Sequence, residues 1–76
     1  MTEQLHFSMV IQWSAADRAY LVSLPEWEGR ILNPVTHGDS YEDADKQDHE
    51  ALAALVASAR QHNDPLPEPR VIANSA

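Results

Sequence analysis

The chain has 76 residues, 43% of them hydrophobic, and no cysteine, which allows one small domain and excludes a disulfide framework or a thiolate metal site. Twelve acidic residues oppose five basic ones, a formal net charge of −7. Direct binding of DNA or RNA is disfavoured, because phosphates require a basic stripe; the acidity serves either solubility or recognition of a basic partner.

Leu5, Phe7, Met9, Ile11 and Trp13 share one parity, with His6, Ser8 and Gln12 between them, which predicts a half-buried strand over 5–13 with its large residues inward. A five-residue connection over 14–18 leads to a second strand over 19–24, where Tyr20, Val22 and Leu24 share a face. The two read as an antiparallel hairpin. Pro25 ends the second strand, since it lacks a ladder donor, and 26–29 reads as an exposed loop carrying Trp27. Over 30–37 the apolar residues are Ile31, Leu32 and Val35, interrupted by Pro34, so two short extended pieces are expected around Asn33-Pro34.

The helix signal is local and dense. Gly38-Asp39 is turn chemistry, and Ser40 with Asp43 three residues on fits an N-cap, giving a helix over 41–62. Glu42, Asp43 and Asp45 crowd its first turns and Arg60 and His62 its last, as the helix dipole favours. Ala44, Ala51, Leu52, Leu55, Val56 and Ala59 form one apolar stripe, which leaves Asp45 and Asp48 to face solvent. Asn63-Asp64-Pro65 stops the helix. Pro65, Pro67 and Pro69 impose an extended segment, and Val71, Ile72 and Ala73 are expected to add a final strand. The order β-β-β-α-β makes an α+β fold, a small antiparallel sheet packed on one helix, as a single domain over 1–76 with its core at about 5–72.

No apolar run approaches the roughly 20 residues a membrane span needs, and no basic leader precedes one, so a cytoplasmic protein without membrane contact is expected. A domain of this size buries only about 60% of the surface its unfolded chain exposes, so assembly is expected as well.

Catalytic chemistry finds little footing. The acids sit in the hairpin turn (Asp17), the next loop (Glu26, Glu28) and the helix start, not in strands that would hold them around a metal ion. His49-Glu50 begins a zinc-protease pattern, but Ala53 stands where the second histidine is due. With two glycines a phosphate-cradling loop is excluded. No catalytic, cofactor or metal residue is therefore assigned, and the chain reads as a binding protein, not an enzyme. Trp27 either packs over the core edge or meets a partner, and the proline segment either binds a partner or lies against the helix.

Several short motifs occur together in order: Trp13-Ser14, Tyr20-Leu21-Val22, Pro25-Glu26-Trp27-Glu28-Gly29, then Thr36-His37-Gly38-Asp39-Ser40-Tyr41-Glu42-Asp43-Ala44, Glu50-Ala51-Leu52 and Pro65-Leu66-Pro67-Glu68-Pro69. Over about 7–69 this series resembles the HicB family of antitoxins. The resemblance implies a truncated ribonuclease H fold, a place in a HicA-HicB toxin-antitoxin system, and neutralisation of a small basic mRNA-cleaving HicA toxin by occlusion of its active site. It also implies self-association as a dimer or tetramer. Motif matching does not itself give the contact residues; those expected to meet a partner are Trp27 and Glu28 in the loop, Asp39, Tyr41 and Glu42 at the helix start, and Leu66 and Pro67 in the proline segment. The chain departs from the family pattern at Pro34, at Asp45 and Asp48 where apolar and small residues are usual, and in ending after the proline segment. Larger HicB proteins continue there into an operator-binding module, so a repressor role is not carried over. Two other readings stand beside this one: a residual metal-dependent nuclease of ribonuclease H-like fold, and an orphan module that only self-associates.

Overall fold

The computed structural model describes residues 6–72. Its elements in order are β1 (Val10–Ser14), β2 (Ala19–Ser23), a 3-10 turn (Pro25–Trp27), β3 (Thr36–Gly38) and α1 (Tyr41–Gln61). The strands form one antiparallel sheet in the order β1-β2-β3, with Trp13 opposite Tyr20 and Tyr20 opposite Gly38. The result is a small α+β domain, three strands and one helix among the described residues.

The hairpin closes where the alternation is cleanest, yet β1 begins at Val10 and not near residue 5. Phe7 is buried and Met9 half-buried, but both precede the strand, packing against the core from an extended segment. Leu5 lies outside the described residues. The turn takes four residues, since Ser14 already pairs with Ala19. Arg18 sits there at φ +51°, and Asp17 accepts from the Ser14 hydroxyl at 2.8 Å.

Trp13 corrects the expectation of an inward ring: it is 55% exposed. The parity is right, since Trp13 shares its face with Tyr20 and the fully buried Val22. The cover is missing, because α1 packs chiefly on β3 and β2 and little on β1.

The interrupted third strand resolves into a single bridge residue, Ile31 beside Glu28, and the short β3. Between them the Asn33 side chain imitates a strand neighbour, its Oδ1 accepting from the Leu24 N–H at 3.0 Å and its Nδ2 donating to the Leu24 carbonyl at 3.3 Å. The Asn33-Pro34 bond is cis. Gly38 then brings the chain against the helix start, where a Cβ would run into the backbone nitrogen and Cα of Ala44.

The helix forms as the capping pattern predicts. The Ser40 hydroxyl accepts from the Asp43 N–H at 3.0 Å, and the Asp43 carboxylate accepts from the Asp39 N–H at 3.0 Å, a reciprocal cap. At the other end Asn63, at φ +57°, turns the chain, and the Asp64 N–H closes on the Ala59 carbonyl at 2.8 Å. Ala44, Leu52, Val56 and Ala59 are buried, and Ala51 and Leu55 half-buried, as the stripe requires. Asp48 is buried with them, a correction to its expected place in solvent: it falls on the same four-residue spacing as Ala44 and Leu52.

The core is one cluster, Phe7, Leu24, Trp27, Leu52, Val56 and Ala59, with Met9, Ile31, Val35, Leu55 and Leu66 against it. Beyond the helix, 65–72 is extended without strand pairing. Val71 and Ile72 are exposed and belong to no strand, which corrects the expected final β element; its last residue, Ala73, lies outside the described residues. No helix among the described residues is long and apolar enough to cross a membrane.

Candidate functional site

The residues expected to meet a partner separate into two groups. Asp39, Tyr41 and Glu42 stand together, exposed, at the start of α1. Trp27, Glu28, Leu66 and Pro67 lie toward the other end, where Trp27 lines a hollow with Leu55, Ser58 and Ala59. Most of the helix separates the two groups, roughly 25 Å at 1.5 Å per residue.

Trp27 is not presented to a partner: it is 2% exposed, so the loop it occupies is not the exposed one expected. The 3-10 turn drives the indole inward, where its ring meets Phe7 at 5.6 Å and carries the Arg30 guanidinium 5.9 Å from its centroid. Arg30 Nη1 donates to the Pro65 carbonyl at 2.6 Å, tying the proline segment to this corner. Leu66 packs on the core and Pro67 is half-buried, so the segment lies against the domain instead of standing free. Glu28 remains exposed. The hollow beside Trp27 has a volume of about 160 Å³, and the indole Nε1 is buried without a hydrogen-bond partner. On the outer face of the sheet a second hollow, about 330 Å³, opens between Asp17, Ala19, Leu21, Pro34 and His37.

Two carboxylates expected at the surface, Glu26 and Asp48, are buried. Glu26 accepts from the Ser8 N–H at 3.1 and 3.0 Å and from the Arg70 N–H at 2.9 Å, joining the segments that flank the sheet and helix. Burial works against its charge, but the N–H groups of Arg70 and Ser8 outweigh it and hold the carboxyl below its ordinary value. Asp48 has no accessible surface, and neither carboxylate oxygen has a partner. Burial pushes it up from 3.8 to about 6, with His49 pulling it down and Asp45 pushing it further up.

At the helix start the exposed side chains are aromatic as well as acidic. Trp13, Tyr20 and Tyr41 stack in series, the last two with centroids 4.3 Å apart. Only Tyr41 of these was marked in the sequence; parity assigned Trp13 to the core, and the Trp13–Tyr20 cross-strand pairing was the signal available. Asp45, one turn along from Tyr41, meets His49 at 3.2 Å. Among the described residues no three His, Asp or Glu side chains stand together as a metal-binding group.

Compared with known proteins, the chain matches no family model, and no curated protein or solved structure is significantly similar to it.

Proposed function

We propose that this chain is a HicB-like binding protein that neutralises, in the cytoplasm, a small basic ribonuclease of HicA type by covering its active site. The observation that carries the reading is the rigid acidic start of α1, where Asp39, Tyr41 and Glu42 project from a doubly bonded cap. Negative charge on a preformed surface steers a basic partner and raises its association rate. The series of short motifs supports the family, and the β-β-β-α order agrees with the β-β-β-α-β unit which that resemblance implies as far as α1. Trp27 is withdrawn from the contact because it is core; the helix start is its centre.

Inhibition of a candidate basic toxin is the direct test. Adding the purified chain at equimolar ratio should abolish RNA cleavage, and neutralising Asp39 and Glu42 together (Asp39→Asn with Glu42→Gln) should slow association about tenfold at low salt. Undiminished cleavage at a large excess of the chain overturns the proposal. Metal-stimulated cleavage by the chain alone would instead favour the nuclease reading. The same proposal includes self-association, since β1 and β3 each have an unpaired edge among the described residues. Sedimentation of a species of only 8.5 kDa at micromolar concentration would remove that part.

A further inference from the structure

Trp13 of β1, Tyr20 of β2 and Tyr41 of α1 form a continuous ladder of rings drawn from three elements. Trp13 and Tyr20 meet edge to face with centroids 5.0 Å apart, and Tyr20 and Tyr41 lie at 4.3 Å with planes 35° apart. None of the three belongs to the core cluster, and the outer two are open to solvent, Tyr41 by 64%. A single exposed ring is ordinary, but a contiguous row of them marks a surface that gains from being covered.

The chemistry of the rim indicates what would cover it. Asp39 and Glu42 flank Tyr41 in the chain, and Asp45 follows one turn later, all exposed. Against these and Asp43, residues 39–48 carry one cation, Lys46. Ring faces attract a cation through their quadrupole, and adjacent carboxylates accept its N–H groups. A flat guanidinium satisfies both at once by stacking on a ring and reaching sideways to an acid, which a compact ammonium does less well.

We propose that the Trp13–Tyr20–Tyr41 ladder, with the carboxylates of Asp39, Glu42 and Asp45, is a docking surface for an arginine-bearing basic segment of a partner protein. The assignment goes beyond the helix-start contact by adding Trp13 and Tyr20 to it, and it holds whether or not the partner is a ribonuclease.

The test is calorimetric titration of the full chain with an arginine-rich peptide and with a lysine peptide of the same length and charge. The arginine peptide should bind at least about threefold more tightly. Trp13→Ala and Tyr41→Ala should each weaken its binding by roughly 3- to 30-fold, while Tyr41→Phe, which keeps the ring, should bind as the unaltered chain does. Asp64→Asn and Glu68→Gln, acids beyond the far end of the helix, should change affinity by less than about twofold. Circular dichroism establishes that each variant folds, and chemical-shift changes on the exposed Trp13 indole, but not on the buried Trp27, locate the peptide directly. Equal affinity for the two basic peptides, or unchanged affinity in both alanine variants, overturns the proposal. So does a dimer that Trp13→Ala dissociates while no peptide binds, since a second copy would then own the ladder. Because no ribonuclease enters this experiment, its failure is separate from failure of the toxin assay.

Discussion

Glu26 and Asp48 are both buried carboxylates in a 76-residue domain, and they occupy opposite electrostatic states. Glu26 sits beside the 3-10 turn and receives N–H groups from Ser8 and Arg70, residues 18 and 44 positions away. Asp48 sits midway along α1, where every nearby backbone N–H is already committed to the helix, and its two oxygens have no donor. Burial penalises charge at both places; only the supply of donors differs. An irregular turn between extended segments has free N–H groups to offer a carboxylate, whereas a helix interior has none. Glu26 therefore holds the fold together as an anion, and Asp48 strains it as one.

Removing the donor-rich carboxylate should have the largest effect. Glu26→Ala strands the Ser8 and Arg70 N–H groups and releases both flanking segments, a loss of about 2–4 kcal/mol in urea unfolding. Domains of this size have roughly 4–11 kcal/mol in total, so the loss is a large share of the whole. A loss below about 0.5 kcal/mol would mean that water replaces the carboxylate and that the contrast with Asp48 is false.

The opposite sign is expected at Asp48. Its carboxyl titrates near 6 in the folded chain and near 3.8 when unfolded. Between those values the folded chain holds a proton that the unfolded chain has released, so stability falls as pH rises through the window. The full span corresponds to at most about 3 kcal/mol. Asp48→Asn should thus stabilise the protein by about 1–2 kcal/mol at pH 8 and by nothing measurable at pH 4, and it should flatten the stability profile between them. Glu26 contributes the other limb: its lowered carboxyl stabilises the fold above its unfolded value and loses that contribution as pH falls through the folded one. Stability of the unaltered chain should therefore peak in mildly acidic solution. A profile rising steadily from pH 4 to pH 8 would contradict the assignment of Asp48 as the strained group.

The same contrast explains what could be read before the structure. The helix, its Ser40 cap and its apolar stripe were legible because each depends on residues three or four positions apart. The hairpin was legible from alternation alone. Glu26 was not, because its donors come from both flanks of the fold and leave no local pattern. Asp48 has the four-residue spacing of Ala44 and Leu52, but it reads with the other acids of the helix start as surface charge. At the candidate surface Asp39, Tyr41 and Glu42 were visible as an acidic helix start, while Trp13 was misplaced because parity tells which face a ring occupies and not whether anything covers that face. Trp27 shows the reverse: of the two fates open to it, packing over the core edge or meeting a partner, the first holds, because Pro25–Trp27 is a tight 3-10 turn that points the indole at Phe7.

The smallest effect separates the two causes acting on Asp48. Desolvation dominates, but His49 and Asp45 also act through their charges, the first lowering and the second raising its carboxyl. Both are exposed and paired to each other at 3.2 Å, so solvent and mutual compensation weaken each of them. His49→Gln should raise the Asp48 midpoint and Asp45→Asn should lower it, each by a few tenths of a pH unit, as followed by NMR of the carboxyl carbon. Opposite small shifts of this kind leave burial as the main cause and keep Asp48 in contrast with Glu26. A shift of more than about one unit from either exposed residue would make Asp48 a member of a surface charge network, and the distinction between a carboxylate with donors and one without would no longer explain its titration.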